Sequence, residues 1–313
     1  MVKRRSTSNA AIATLHEGDA LAYIKKLRKE QFDLVVSSPP YNIGKVYERE
    51  TPLTLEEYTV WQDRIIEALT SRVKPTGSIC WQVGSYIKNG ELFPLDILFF
   101  PLFAKRGWKL RNRIIWKFNF GHNADKRFSG RYETVLWFTK GDEYKFNLDP
   151  VRVPQLYPGK RHSRTKGDRA GKPSGNPKGK NPSDFWEFSA AVDFLHNPVW
   201  DIPNVKANHP EQTDHPCQFP IELAERCILA LTEEGDQILD PFVGTGSSVI
   251  AAIKNNRHAT GIDKEAHFLK LARERIAALK EGDLPIRPLG KPIRRPVSSE
   301  KVATVPEEWL KAS

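Results

Sequence analysis

Cysteine is scarce: Cys80, Cys217 and Cys227 are the three in a chain of 313 residues, and no two stand at CxxC spacing. Three thiols make no disulfide framework and suggest no cysteine metal site, and a reducing, cytoplasmic compartment is expected. Long apolar runs are missing too. The longest, residues 94–104, is interrupted by Asp96 and falls far short of the ~20 residues that span a bilayer, so no membrane contact is expected. Lys3, Arg4 and Arg5 are followed by polar residues and not by an apolar core, so no secretory signal is read there. Acidic residues are almost absent from one stretch, residues 152–182, which hold nine Lys or Arg against Asp168 alone.

The rest of the composition is that of an ordinary globular chain, 39% hydrophobic and 27% charged. At ~150 residues per domain the length suits two domains, or one with a large insertion. The net charge is +10, and residues 152–182 alone carry +8, with ten of their 31 residues Gly or Pro. A basic segment in an otherwise near-neutral chain suits a polyanion, most simply nucleic acid. On charge alone a solvated loop serves equally well.

Strand and helix patterns alternate on both sides of that segment, with no internal repeat. Strands are expected at 14–18, 32–37, 78–83, 113–118, 134–139, 237–239 and 259–262. Helices are expected at 20–27, 54–72, 92–105, 220–232, 247–255 and 265–279, and a short one at 307–312. A turn is read at 75–77. This order predicts an α/β fold with a doubly wound, mostly parallel sheet, which binds ligands at the carboxyl ends of its strands. Trp186 and Trp200 read as packing residues.

Two motifs sit at such strand ends. The first is Asp240-Pro241-Phe242-Val243-Gly244-Thr245-Gly246-Ser247, a strand, a tight loop and a helix start. Its glycines let the backbone approach a ligand, and Ser247 or Ser248 is a candidate helix cap. Asp263, 19 residues after Gly244, ends the next strand, where a carboxylate can accept from ribose hydroxyls. The third glycine of a dinucleotide fingerprint is replaced by Val249, and the lysine of a P-loop is absent. S-adenosylmethionine (AdoMet) is the remaining common nucleoside cofactor for this topology. No metal is expected.

The second motif is Ser38-Pro39-Pro40-Tyr41, directly after the apolar strand 32–37. It resembles the signature of enzymes that methylate exocyclic amino groups. Together with the glycine loop it is similar to the DNA N4-cytosine/N6-adenine methyltransferase family, over residues 14 to 276. The resemblance implies the seven-stranded-type AdoMet-dependent methyltransferase sheet. It also implies that Ser38 and the Pro39 carbonyl accept from the two N–H groups of the target amine, Pro40 stiffens the turn, and Tyr41 stacks on a base flipped out of duplex DNA. Asp19, Asp240, Pro241, Phe242, Gly244, Thr245, Gly246, Ser247 and Asp263 would serve the cofactor. So would His215, Gln218 and Phe219, in a stretch similar to a family element that lines the methionine end of AdoMet; Phe219 replaces that element's lysine. A serine in first place is similar to the N4-cytosine pattern and an aspartate to the N6-adenine one, so cytosine N4 is favoured.

With the catalytic motif first and the glycine loop last, the order resembles the family's β arrangement. The sheet would be circularly permuted, beginning at its third strand, with a catalytic half at 14–150 and a basic target-recognition insert at 151–205. An AdoMet-binding half at 206–280 and a carboxy-terminal extension at 281–313 would follow. In the insert, Lys160, Arg161, Arg164, Lys166, Arg169 and Lys172 are candidate contacts to double-stranded DNA, and Asn123, Lys126 and Arg127, after the strand 113–118, are expected to line the base pocket. A site-specific DNA methyltransferase is thus expected, solitary or paired with a restriction endonuclease, as a monomer or a homodimer. Three other readings stay open: a catalytically silent nucleic-acid-binding protein, an RNA or protein amino-group methyltransferase, and a C5-cytosine enzyme using Cys217 of Pro216-Cys217-Gln218 as nucleophile.

Overall fold

The structure is a computed structural model, and it describes residues 10–42, 53–118, 123–155, 157–162, 169–186, 205 and 209–289. The elements run β1 (Ala13–Glu17), α1 (Ala20–Lys26), β2 (Phe32–Ser37), α2 (Leu55–Thr70), β3 (Val73–Val83), β4 (Ser85–Lys88), β5 (Glu91–Pro94) and α3 (Leu95–Ala104). They continue with β6 (Lys109–Lys117), β7 (Tyr132–Thr139), β8 (Phe185–Trp186), α4 (Ile221–Leu231), β9 (Gln237–Asp240), α5 (Ser247–Lys254), β10 (His258–Asp263) and α6 (Ala266–Glu281). The strand order is β1-β10-β9-β2-β3-β7-β6-β8 in an eight-stranded sheet. From β1 to β3 all pairings are parallel, and β7 runs antiparallel between β3 and β6. The late strands β9 and β10 fill the space between the first two, as the permutation requires.

Each face of the sheet carries its own core. Leu34 and Val36 of β2 pack with α4, α5 and α6, while Phe32 and Val35 pack with α1, α2 and α3. All six residues of β2 are buried, including Asp33 and Ser37, which is why the strand reads as mostly apolar and not as alternating. On α2, Ile65, Ile66 and Leu69 are fully buried, each worth about 1.5–3 kcal/mol. Thr54 and Glu57 close its first turn with reciprocal bonds.

The elements depart from the sequence reading in these places. Residues 92–94 are strand, not helix, because Asn89 and Gly90 both take positive φ and turn β4 back onto β5. Residues 75–77 lie within β3, where a register shift against β2 absorbs the expected turn. The two-residue β8 adds an eighth strand beyond the seven-stranded type by pairing with Ile115 and Trp116. The helix expected at 307–312 lies outside the described residues. Among the described residues no helix is long and apolar enough to cross a membrane.

Candidate active site

The chain leaves β9 outward toward β10, and it leaves β2 outward toward β3. Their carboxyl ends therefore flank a switch point of the doubly wound sheet, where such folds open a crevice. Both motifs are delivered there, the Ser38–Tyr41 turn by β2 and the glycine loop by β9. A cavity of about 380 Å³ opens between them, within the range of small-molecule sites.

The two motifs are fastened to each other beneath that cavity. Asp240, 1% exposed, accepts from Ser37 Oγ at 2.5 Å, from Ser248 Oγ and from the Phe242 amide. Burial nevertheless pushes its carboxyl up to about 6. Ser248 is thereby drawn away from capping, and the helix cap is Gly246 in left-handed conformation with no side-chain bond. The serine cap expected from sequence is therefore not made. At Gly246 (φ 86°) a Cβ would come within 3.1 Å of Ala272, and at Gly244 (φ 49°) within 3.2 Å of His215, so both need glycine. Buried Arg275 of α6 holds the loop from behind, donating to the Thr245 carbonyl at 2.6 Å.

Of the residues expected at the cofactor, Asp19, Pro241, Phe242, Gly244, Thr245, Ser247, Asp263, His215, Gln218 and Phe219 line the cavity. Asp240 and Gly246 do not, since they build the floor and the turn. Asp19 also caps α1, accepting from the Ala22 amide at 2.8 Å. The Asp263 oxygens accept from the Gly244 and Glu265 amides, which orients the carboxylate at the cavity wall. Gln218 points its amide into its own loop, accepting from Thr213 and donating to the Glu211 carbonyl. Ser247 Oγ is buried in the wall with no partner among the described residues, so a ligand group can bond it.

On the other wall stand Ser38, Pro39, Pro40 and Tyr41. Tyr58 of α2 donates to the Pro40 carbonyl at 2.6 Å, which fixes the turn. Among the described residues none donates to the Pro39 carbonyl. Ser38 Oγ lies 3.1 Å from the Tyr41 hydroxyl, which donates to Glu133 Oε2 at 3.3 Å. Burial, with the Glu133 charge beside it, holds the Tyr41 hydroxyl well above its usual range, so it stays protonated. Burial also lifts Glu133 to about 7. Tyr58, Glu133 and Arg275 were not singled out in the sequence. Tyr58 reads there only as one more residue of an apolar helix face, and nothing marks a glutamate one residue into a strand.

The basic residues lie elsewhere. Lys160, Arg161, Arg169 and Lys172 are exposed on a segment held by backbone bonds between His162 and Lys172 and between Ser174 and Lys160. Arg164 and Lys166 lie outside the described residues, as does Trp200. Trp186 is buried against the sheet. Asn123, Lys126 and Arg127 are not in the cavity wall but on an exposed loop leading into β7. That loop also carries Phe128, 99% exposed. Among the described residues no three His, Cys, Asp or Glu gather as a metal would require.

A family model described as DNA methylase (N6_N4_Mtase) matches residues 32–274. The chain is 45% identical to Type II methyltransferase M.BglII of Bacillus subtilis, over 82% of its own length and 67% of the relative's. It is 30% identical to DNA adenine methyltransferase YhdJ of Escherichia coli K12, over 84% and 82% of the two chains. Among solved structures, TTHA0409 of Thermus thermophilus, complexed with S-adenosyl-L-methionine, superposes with a TM-score of 0.56 at 25% identity over 88% of this chain and 95% of that one. PvuII DNA methyltransferase (cytosine-N4-specific) superposes at 0.62 over 95% and 97%. At 16% identity the PvuII likeness speaks for the fold alone.

Proposed function

The chain belongs to the N6/N4 DNA methylase family, and from that premise we propose that it transfers a methyl group from AdoMet to cytosine N4 at a specific site in double-stranded DNA. The observation that carries this reading is the single cavity shared by the Ser38–Tyr41 turn and the Gly244–Gly246 loop. The residues present suit AdoMet: close backbone approach at Gly244, acidic groups at Asp19 and Asp263, and the unpartnered Ser247 hydroxyl. When bound, AdoMet supplies an electrophilic methyl group.

The chain's own part is to prepare the nucleophile. A base amine has its lone pair delocalised into the ring, so it attacks poorly while planar. Ser38 Oγ and the open Pro39 carbonyl accept its two N–H groups, favouring a pyramidal nitrogen with its lone pair toward the methyl group. Tyr58 holds the turn rigid through Pro40. The base must leave the stack to reach a cavity at the carboxyl ends of the central strands, and the Tyr41 ring forms part of the wall it meets. Lys160, Arg161, Arg169 and Lys172 supply phosphate contacts, and so do Lys126 and Arg127 on the exposed loop ahead of β7. The family and M.BglII support a place in a type II restriction–modification system, beside an endonuclease acting on the same sequence.

Serine at the first motif position supports cytosine over adenine. Adenine N6 is the second reading, favoured by the likeness to YhdJ. Transfer of tritium from labelled AdoMet to duplex DNA, RNA and protein tests the function: incorporation into duplex DNA is expected, and none with DNA of varied sequence would refute it.

A further inference from the structure

Cytosine-type motifs place a neutral hydroxyl where an aspartate would offer a charged acceptor. The Ser38 hydroxyl has one hydrogen, and the chemistry needs that hydrogen turned away from the base. Its only hydrogen-bond neighbour among the described residues is the Tyr41 hydroxyl, whose other neighbours are Glu133 and the Gln82 side chain. Glu133 stands near the start of β7, beside Gln82 of β3, whose side-chain amide donates to the same Oε2. An ionised carboxylate only accepts, so Tyr41 must give its one hydrogen to Glu133. The Tyr41 oxygen can then only accept, with one lone pair for the Gln82 amide and one for Ser38, and Ser38 makes the bond between them by donating. The Ser38 lone pairs are left facing the cavity.

Resting on the methyltransferase reading, we propose that Glu133 is a positioning residue of the transfer step: acting through Tyr41, it turns the Ser38 hydroxyl so that its oxygen accepts from the target amine. The carboxylate thus does at one remove what an aspartate in the motif would do directly. If Glu133 takes a proton, it can donate to Tyr41, Tyr41 to Ser38, and the Ser38 hydrogen is turned back toward the base. The titratable group against Glu133 is Tyr41, with Cys217 facing Tyr41 from the segment ahead of α4. Among the described residues no cation pairs with Glu133. With its carboxyl lifted to about 7, kcat should fall as pH drops through neutrality.

The test compares the full-length wild-type chain with Glu133→Gln, which keeps the shape and removes the charge, on duplex DNA that the wild type methylates. Glu133→Gln is expected to lower kcat roughly 10- to 100-fold, less than loss of a direct proton-transfer group. AdoMet affinity and the KM for DNA should be unchanged, and the acid limb of the kcat–pH profile should vanish. Tyr41→Phe breaks the same chain without touching Glu133 and should also abolish the limb; it carries the test if Glu133→Gln does not fold, as AdoMet binding would report. A Glu133→Gln enzyme with wild-type kcat, or with the wild-type acid limb in either variant, overturns the relay. A wild-type chain that methylates no duplex overturns the methyltransferase reading itself, and the relay with it.

Discussion

At the switch point of the sheet, Ser37, Asp240 and Ser248 are buried and bonded to one another, whereas Lys160, Arg161, Arg169 and Lys172 of the basic segment are all exposed. The first region fixes positions closely, because the side chains of Ser37, Asp240 and Ser248 are buried and each has a partner. The second holds charge over a surface, where interactions are screened by salt and tolerate small displacements. The comparison teaches a division of labour. Geometry does the chemistry and lies in mostly uncharged groups, while net charge brings the polyanion and lies where geometry is loose.

That division can be broken experimentally, and the largest effect should come from the motif itself. Ser38→Ala should lower kcat by about 10²- to 10³-fold, the usual cost of a lost preorganised hydrogen-bond partner, with AdoMet affinity by titration calorimetry unchanged. Loss of AdoMet binding would mean that the turn serves the cofactor. Asp240→Ala should come next. It leaves the Ser37 and Ser248 hydroxyls and the Phe242 amide without their acceptor, at about 1–3 kcal/mol for each buried group left unpaired, read as a lower Tm. The same carboxyl gives a pH signature. Held at about 6 in the fold, it keeps a proton that the unfolded chain releases at its ordinary, lower pKa. Its contribution to stability is therefore full below the ordinary carboxylate range and is lost as pH rises through about 6. Asp240→Ala should flatten that slope in Tm.

Replacing Lys160, Arg161, Arg169 and Lys172 together with Ala should act on the other side. The slope of log K for DNA against log salt should fall by up to about 3.6, at ~0.9 per phosphate contact, while AdoMet affinity stays put. An unchanged salt slope would detach the segment from DNA. The smallest effect is expected for Cys217→Ser: turnover within about twofold, since a lone-pair nucleophile needs no thiolate. Complete loss would revive the C5-cytosine alternative.

The sheet was legible because its parallel strands are short apolar runs bounded by Pro and Gly, and the two motifs lie at the ends of two of them. Three things were legible less well. The Asn89-Gly90 hairpin was present as a turn signal but was outweighed by the apolar residues after it. The two-residue β8 is too short to carry a period. The serine cap failed because Asp240, seven residues before Ser247 in sequence and buried beneath it, competes for Ser248. At the site, sequence named many of the residues that line the cavity, but not Leu53, Tyr58, Trp61 or Phe268, and of those that hold it in place it named Asp240 alone. Tyr58, Glu133 and Arg275 act through distant pairings, across 18, 92 and 30 residues of chain respectively, and local patterns carry no such information.

The most direct measurement is mass analysis of nucleosides from duplex DNA methylated by the wild-type chain with labelled AdoMet. The account predicts the label in N4-methylcytosine, absent with Ser38→Ala. Label in N6-methyladenine would contradict the choice of base, and label in neither would contradict the assignment of the Ser38–Tyr41 turn to amino-group transfer.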